Sequence, residues 1–254
     1  MDNVKMITRL AILSIAFLGA QAFAAGSVAT EHADIDPNNT ASLQRGARNF
    51  MNYCAGCHSA QYVRYSTIGK HLELSDEQLV DNLMFNAQKT FETINAAMPS
   101  ADAERWFGKA PPDLSLMARA KGADYIYSFL KGFYVEPGSP TGVNNTVLAG
   151  TSMPNVLWEL QGMQKAVFTE ETETDAEGNE STKVHFDGFE LLSEGALSGE
   201  EFDAFVRDTV NFLAYIAEPM RADRRTLGVW VLMFLVVLLI LSIALKKEIW
   251  KDVK

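Results

Sequence analysis

Apolar residues recur at intervals of three and four in several stretches of this chain, which predicts amphipathic helices. Leu43, Ala47, Phe50 and Met51 make one such face, and its pattern closes at Cys54. A second helix is expected over 75–86, where Ser75 and Gln78 form a capping-box start and Leu79, Leu83 and Met84 supply the apolar face. His71, just ahead of it, reads as a solvent-exposed loop histidine. Pro111 and Pro112 fix an extended segment, after which Asp113 is expected to cap a short helix over 113–120. Another helix covers 122–132 and closes at Gly132. A long one runs from Ser198 to Ala217, with Ser198 and Glu201 as its capping box and Phe202, Phe205, Val206, Thr209, Phe212, Leu213 and Ile216 on one face. Glu218-Pro219 stops it. These aromatics are read as core.

The two ends are apolar in different ways. Residues 1–24 carry Lys5 and Arg9, then an apolar run from Leu10 to Leu18, then Ala22-Phe23-Ala24, the form of a secretory signal peptide. The run is about ten residues where a bilayer needs roughly 20. Leu227 to Leu245 carries no charge, lies between Arg224-Arg225 and Lys246-Lys247, and is long enough to cross a hydrocarbon core. The expected organisation is therefore a signal peptide at 1–24, an exported domain at 25–226, a transmembrane helix at 227–245 and a cytoplasmic tail at 246–254. That places the domain in the periplasm, on a single-pass anchor in the inner membrane.

Charge sharpens the picture once it is divided by compartment. The whole chain is −10; without the signal's net +1 and the tail's net +2, the exported part is −13. Such a surface repels nucleic acid and favours basic partners. The run TEETETDAEGNESTK, residues 169–183, reads as a solvated acidic surface loop.

Both cysteines fall in YCAGCH, residues 53–58. A disulfide oxidoreductase would set C-x-x-C between strand and helix, and zinc would need further ligands at matching spacing. Neither accounts for His58. Covalent haem attachment does, because thiols three positions apart can each add to a vinyl group while the adjacent imidazole ligates the iron. One haem c is expected, on Cys54, Cys57 and His58, in a mostly α, cytochrome c-like helical domain with long inserted loops and one C-terminal transmembrane helix.

The sixth ligand is open among several methionines and histidines. Met153, in the irregular stretch VLAGTSMPNVLWEL, is favoured; Met98, in NAAMPSADAERW, is the main rival, followed by a histidine such as His32, His71 or His185. Arg119, Lys121 and Tyr125 offer donors for buried propionates, which are costly without partners.

The segments RGARNFMNYCAGCHSAQYVRYSTIG, APPDLSLMARAKGADYIYSFLKGFY, TSMPNVLWELQG and YIAEPMRADRRTLGVWVLMFL resemble the cytochrome c1 family, a subunit of the bacterial quinol–cytochrome c oxidoreductase, or bc1 complex. The resemblance covers nearly the whole mature chain. It implies thioethers at Cys54 and Cys57, a proximal ligand at His58, a distal ligand at Met153, and pocket or propionate contacts at Pro112, Arg119 and Tyr125. Lys121 stands where the family often has arginine, and it lacks the bidentate fork. The resemblance further implies cytochrome b and a Rieske iron–sulfur protein as partners in a dimeric complex, and a cytochrome c as electron acceptor. It makes the chain a subunit of a redox enzyme with no activity of its own. A membrane-anchored cytochrome feeding a terminal oxidase and a haem-based sensor are the alternatives.

Overall fold

The computed structural model describes residues 30–174 and 180–251. The expected signal peptide lies outside them.

Two helices make the frame: α1, Thr40–Tyr53, and a long helix near the end of the chain, Gly199–Ala217. Between them in chain order come β1 (Ala60–Arg64), α2 (Tyr65–His71), α3 (Asp76–Asn82), β2 (Thr93–Ile94), α4 (Ser100–Phe107), α5 (Met117–Lys121), α6 (Ala123–Lys131), β3 (Phe133–Val135), β4 (Val143–Asn145), α7 (Trp158–Gln161), β5 (Gly162–Thr174) and β6 (Glu180–Glu194). Gly199–Ala217 is then α8, and Arg221–Ile249 is α9. Among the described residues the strands pair as β1–β2, β3–β4 and β5–β6, all antiparallel.

The core sits where α1 crosses α8. Gly46 permits the approach, since a Cβ there would stand 2.0 Å from the Asp208 carbonyl oxygen and 2.7 Å from Phe212 Cβ. Phe50 and Phe212 meet at 5.7 Å between centroids, and Tyr53 meets Phe205 edge-on at 5.4 Å. A polar lock crosses the same contact: Ser42 Oγ donates to Asp208 Oδ1 at 2.6 Å, Arg45 Nε donates to Oδ2 at 2.5 Å, and Asn211 Nδ2 donates to Ser42 Oγ at 2.9 Å. Buried polar groups demand such partners, so the lock also fixes the helix register.

Most of the expected helices form. Both capping boxes are present, at Ser75–Gln78 and at Ser198–Glu201. Three expectations need correction. The helix placed at 113–120 begins only at Met117 with Leu116 as its N-cap, and Asp113 bonds elsewhere. His71 is exposed but ends helix α2, and its Nδ1 pairs with the Tyr215 hydroxyl at 2.8 Å. The stretch 169–183 belongs largely to a hairpin: β5 and β6 pair from Gly162↔Glu194 out to Thr174↔Glu180, with residues 175–179 outside the described part. The pairing starts among apolar residues, where Phe168 faces Phe186 and packs on Tyr134 at 5.8 Å, and the ladder carries the acidic segment outward with it.

Candidate haem-attachment site

The motif grows directly out of the end of α1. Cys54 is the C-cap, its N–H bonded to Phe50 O at 2.8 Å, and the Cys54 carbonyl then accepts from Cys57 N at 3.0 Å and His58 N at 2.8 Å. One tight turn thus carries two thiols and an imidazole. Burial, and then the neighbouring Cys57, push the Cys54 thiol up to about 12, and burial raises the Cys57 thiol as well. Cys54 and Cys57 are not joined in a disulfide.

His58 is half-buried, and its Nδ1 lies 2.8 Å from the carbonyl oxygen of Pro112. A carbonyl only accepts, so Nδ1 carries the proton and Nε2 keeps its lone pair. Burial holds the imidazole below its ordinary pKa, opposed by the Pro112 bond and the charge of Asp113. The ring is thus neutral, held by one nitrogen and available as a metal ligand through the other, which is the form an axial ligand requires. The donor set fits a covalently attached haem. Among the described residues no cluster of three His, Cys, Asp or Glu side chains offers a zinc site.

A second strand of chain, 112–115, is laid along 58–62. Leu114 N donates to Ser59 O at 2.8 Å, and Tyr62 N to Ser115 Oγ at 3.1 Å. Asp113 holds both sides: Oδ2 accepts from Ser59 Oγ at 2.7 Å and Gln61 N at 2.8 Å, and Oδ1 accepts from Ser115 N at 2.8 Å. Sequence reasoning missed this role, because an aspartate after prolines and before an apolar run looks like a cap.

Met153 lies on a loop shaped by two asparagines. Asn144 Oδ1 accepts from Gly150 N at 2.8 Å, where Gly150 takes φ +71°, and fully buried Asn145 accepts from Val147 N at 2.9 Å and Leu148 N at 3.2 Å. Met153 is half-buried and packs against the main core, as do Cys54 and Tyr125. Met98 is tied differently: its N–H bonds Gly56 O at 2.9 Å and that of Ala97 bonds Ala55 O at 3.2 Å, strapping this segment onto the attachment turn itself. Arg119 is exposed on α5 and makes no ion pair among the described residues. Lys121 Nζ sits 5.4 Å from the Tyr125 ring centroid, a cation–π contact. Of the other histidines, His32 bonds Asp124, His71 bonds Tyr215, and His185 is exposed on β6.

The model of the "Cytochrome C1 family" matches residues 32–178 and 194–253. The chain belongs to the cytochrome c1 family. It is 47% identical to cytochrome c1 of Allochromatium vinosum, over 88% of this chain and 89% of that protein. The ammonia monooxygenase gamma subunit of Nitrosomonas europaea is 38% identical over 89% of each chain, and cytochrome c1 of Rhodospirillum rubrum is 30% identical over 84% of this chain and 82% of its own length. As a cytochrome c1, the chain is a c-type cytochrome of the bc1 complex, works in electron transport and carries a covalently bound haem c. The unmatched residues, 179–193, take up nearly all of β6, so this arm of the hairpin stands outside the family pattern.

Proposed function

We propose that Cys54 and Cys57 carry the haem thioethers, that His58 Nε2 is the proximal ligand and Met153 the distal one, and that the chain passes electrons from a Rieske iron–sulfur protein to a cytochrome c. Cytochrome b oxidises quinol beside it in a dimeric complex, and α9 anchors the exported domain in the inner membrane with the C-terminus in the cytoplasm. The observation that carries the ligand assignment is the His58–Pro112 bond: it commits Nδ1 and leaves Nε2 free, one turn from Cys54. Met153 is favoured because Met98 is bound by its own backbone to the turn that bears His58, whereas an axial pair needs its second member from the opposite side. Arg119 and Tyr125 flank the pocket as propionate donors, and Pro112 supplies the carbonyl.

The bound haem supplies the one-electron chemistry, and His/Met ligation raises its potential. The chain's own residues orient the imidazole, exclude water and present a negative face; none of them acts as acid or base.

Met153→Leu in the intact complex tests the assignment. The expected result is a haem still covalently attached, with its low-spin His/Met absorbance signature lost; Met98→Leu keeps that signature. The reverse pattern would transfer the ligand to Met98. Copurification with cytochrome b and a Rieske protein checks the partners, and a chain that purifies without them would favour an independent anchored cytochrome.

A further inference from the structure

We infer that Asp113 is a positioning residue for the proximal ligand: its carboxylate clamps the Pro112 peptide against the His58 turn and holds a fixed negative charge there that tunes the iron. The inference rests on the reading of His58 as proximal ligand.

The geometry brackets the His58–Pro112 bond from both sides. Asp113 follows Pro112 directly, so anything that fixes its side chain fixes the carbonyl that receives the imidazole proton. Its Oδ2 reaches Ser59, the residue after His58, at 2.7 Å, and Gln61 N at 2.8 Å. Its Oδ1 accepts from Ser115 N at 2.8 Å, and Leu114 N reaches back to Ser59 O at 2.8 Å, so the 112–115 segment cannot slide along 58–61 without breaking several bonds together. The carboxylate does not cap α5, whose N-cap is Leu116.

The group is also charged. Burial pushes the Asp113 carboxyl up, but the hydrogen bonds from Ser115, Gln61 and Ser59 outweigh it and hold the carboxyl below its ordinary range. Its carboxylate lies one residue from the Pro112 carbonyl that holds His58 Nδ1 and bonds Ser59 beside it, so the charge sits on that side of the ring. A negative charge on that side of the iron favours the ferric form, and a firmly held Nδ1–H···O=C bond makes the imidazole a stronger donor in the same direction. Asp113 therefore opposes the potential-raising influence of the thioether.

The test is a redox titration of the haem-replete complex. Asp113→Asn keeps the shape and removes the charge; at a fixed ambient potential its ferrous-to-ferric ratio is expected to rise severalfold, up to about tenfold, or 59 mV for a one-electron couple. Asp113→Glu, which keeps the charge, is expected to lie nearer the wild type. Ser59→Ala removes one bond of the clamp and so loosens the Pro112 carbonyl on His58, and its ratio is expected to rise, by less than that of the Asn variant. An Asn variant with an intact His/Met spectrum and an unchanged ratio overturns the proposal. Should the Asn variant fail to take up haem, Ser59→Ala decides, and a ratio unchanged or lowered there overturns it equally. Wild-type protein without a covalent haem on Cys54 and Cys57 would instead sink the parent reading.

Discussion

Asp124 shows how one side chain can tie down the chain's entry into the domain. Its Oδ1 accepts from Ala33 N at 2.9 Å and its Oδ2 from His32 Nδ1 at 3.2 Å, while nearby Glu31 N donates to Ser128 Oγ at 2.8 Å. The Ala33 bond, opposed by burial and helped by His32, holds the Asp124 carboxyl below its ordinary value. A depressed carboxylate contributes stability that is complete above its unfolded pKa of about 3.9 and is lost as pH falls through the lower folded value. Its side chain is 44% exposed and that of His32 is 79% exposed, so screening limits the effect to about 1 kcal/mol or less. Asp124→Asn should therefore lower the urea-unfolding free energy by about 0.5–1 kcal/mol at neutral pH, with the gap closing once the pH falls below the depressed carboxyl value. An equal loss at both pH values would assign the effect to shape and not to charge. Nothing local reveals this contact, because Ala33 and Asp124 are 91 positions apart. Cys54, Cys57 and His58 were legible for the opposite reason: their chemistry is written within five consecutive positions.

At the scale of elements, the α1–α8 crossing is the joint on which the attachment turn depends, since the turn continues from the last residue of α1. Gly46 is the narrowest point, and an added methyl would meet backbone at Asp208 and the Cβ of Phe212, neither of which can swing aside. Gly46→Ala should cost about 1–3 kcal/mol, and a domain of this size should lose roughly 2–12 °C in thermal unfolding followed by circular dichroism. A change under about 1 °C would mean that the helices separate without penalty. These helices were readable because each buries one stripe, and the Ser75 and Ser198 boxes announce their starts. The β5–β6 hairpin was not. Its composition is acidic, but Lys183-Val184-His185-Phe186 alternates polar and apolar with a period of two, and Asp175 to Asn179 is rich in turn formers. That alternation was the signal, hidden by the habit of reading a charge run as solvated loop. β2, β3 and β4 have two or three residues each and are set by tertiary contacts, so no period could announce them.

For the whole molecule, two features act together: a long apolar helix left unburied among the described residues and a strongly acidic body. Within Arg224–Ile249 an 18-residue window has a mean hydropathy of 2.9 and is unburied among the described residues, so the helix is long and apolar enough to cross a membrane. The body, residues 25–226, carries the −13 that follows from the whole-chain −10, and α9 would hold that charge on one side of the membrane. A basic cytochrome c should then be steered toward the domain, and steering of this kind weakens as salt shortens the Debye length from about 30 Å at 0.01 M to about 8 Å at 0.15 M. The second-order rate of electron transfer to a basic cytochrome c should fall at least about tenfold across that range, while an acidic cytochrome c should show a rate that rises with salt. Stopped-flow oxidation of the reduced complex in sealed vesicles, with the haem domain outward, measures both slopes. The tail, residues 246–254, carries net +2. If it lies across the bilayer from the haem domain, deleting it leaves the salt slope unchanged, because its charges never share solvent with the incoming partner; a steeper slope after deletion would put the tail on the same side and overturn the topology.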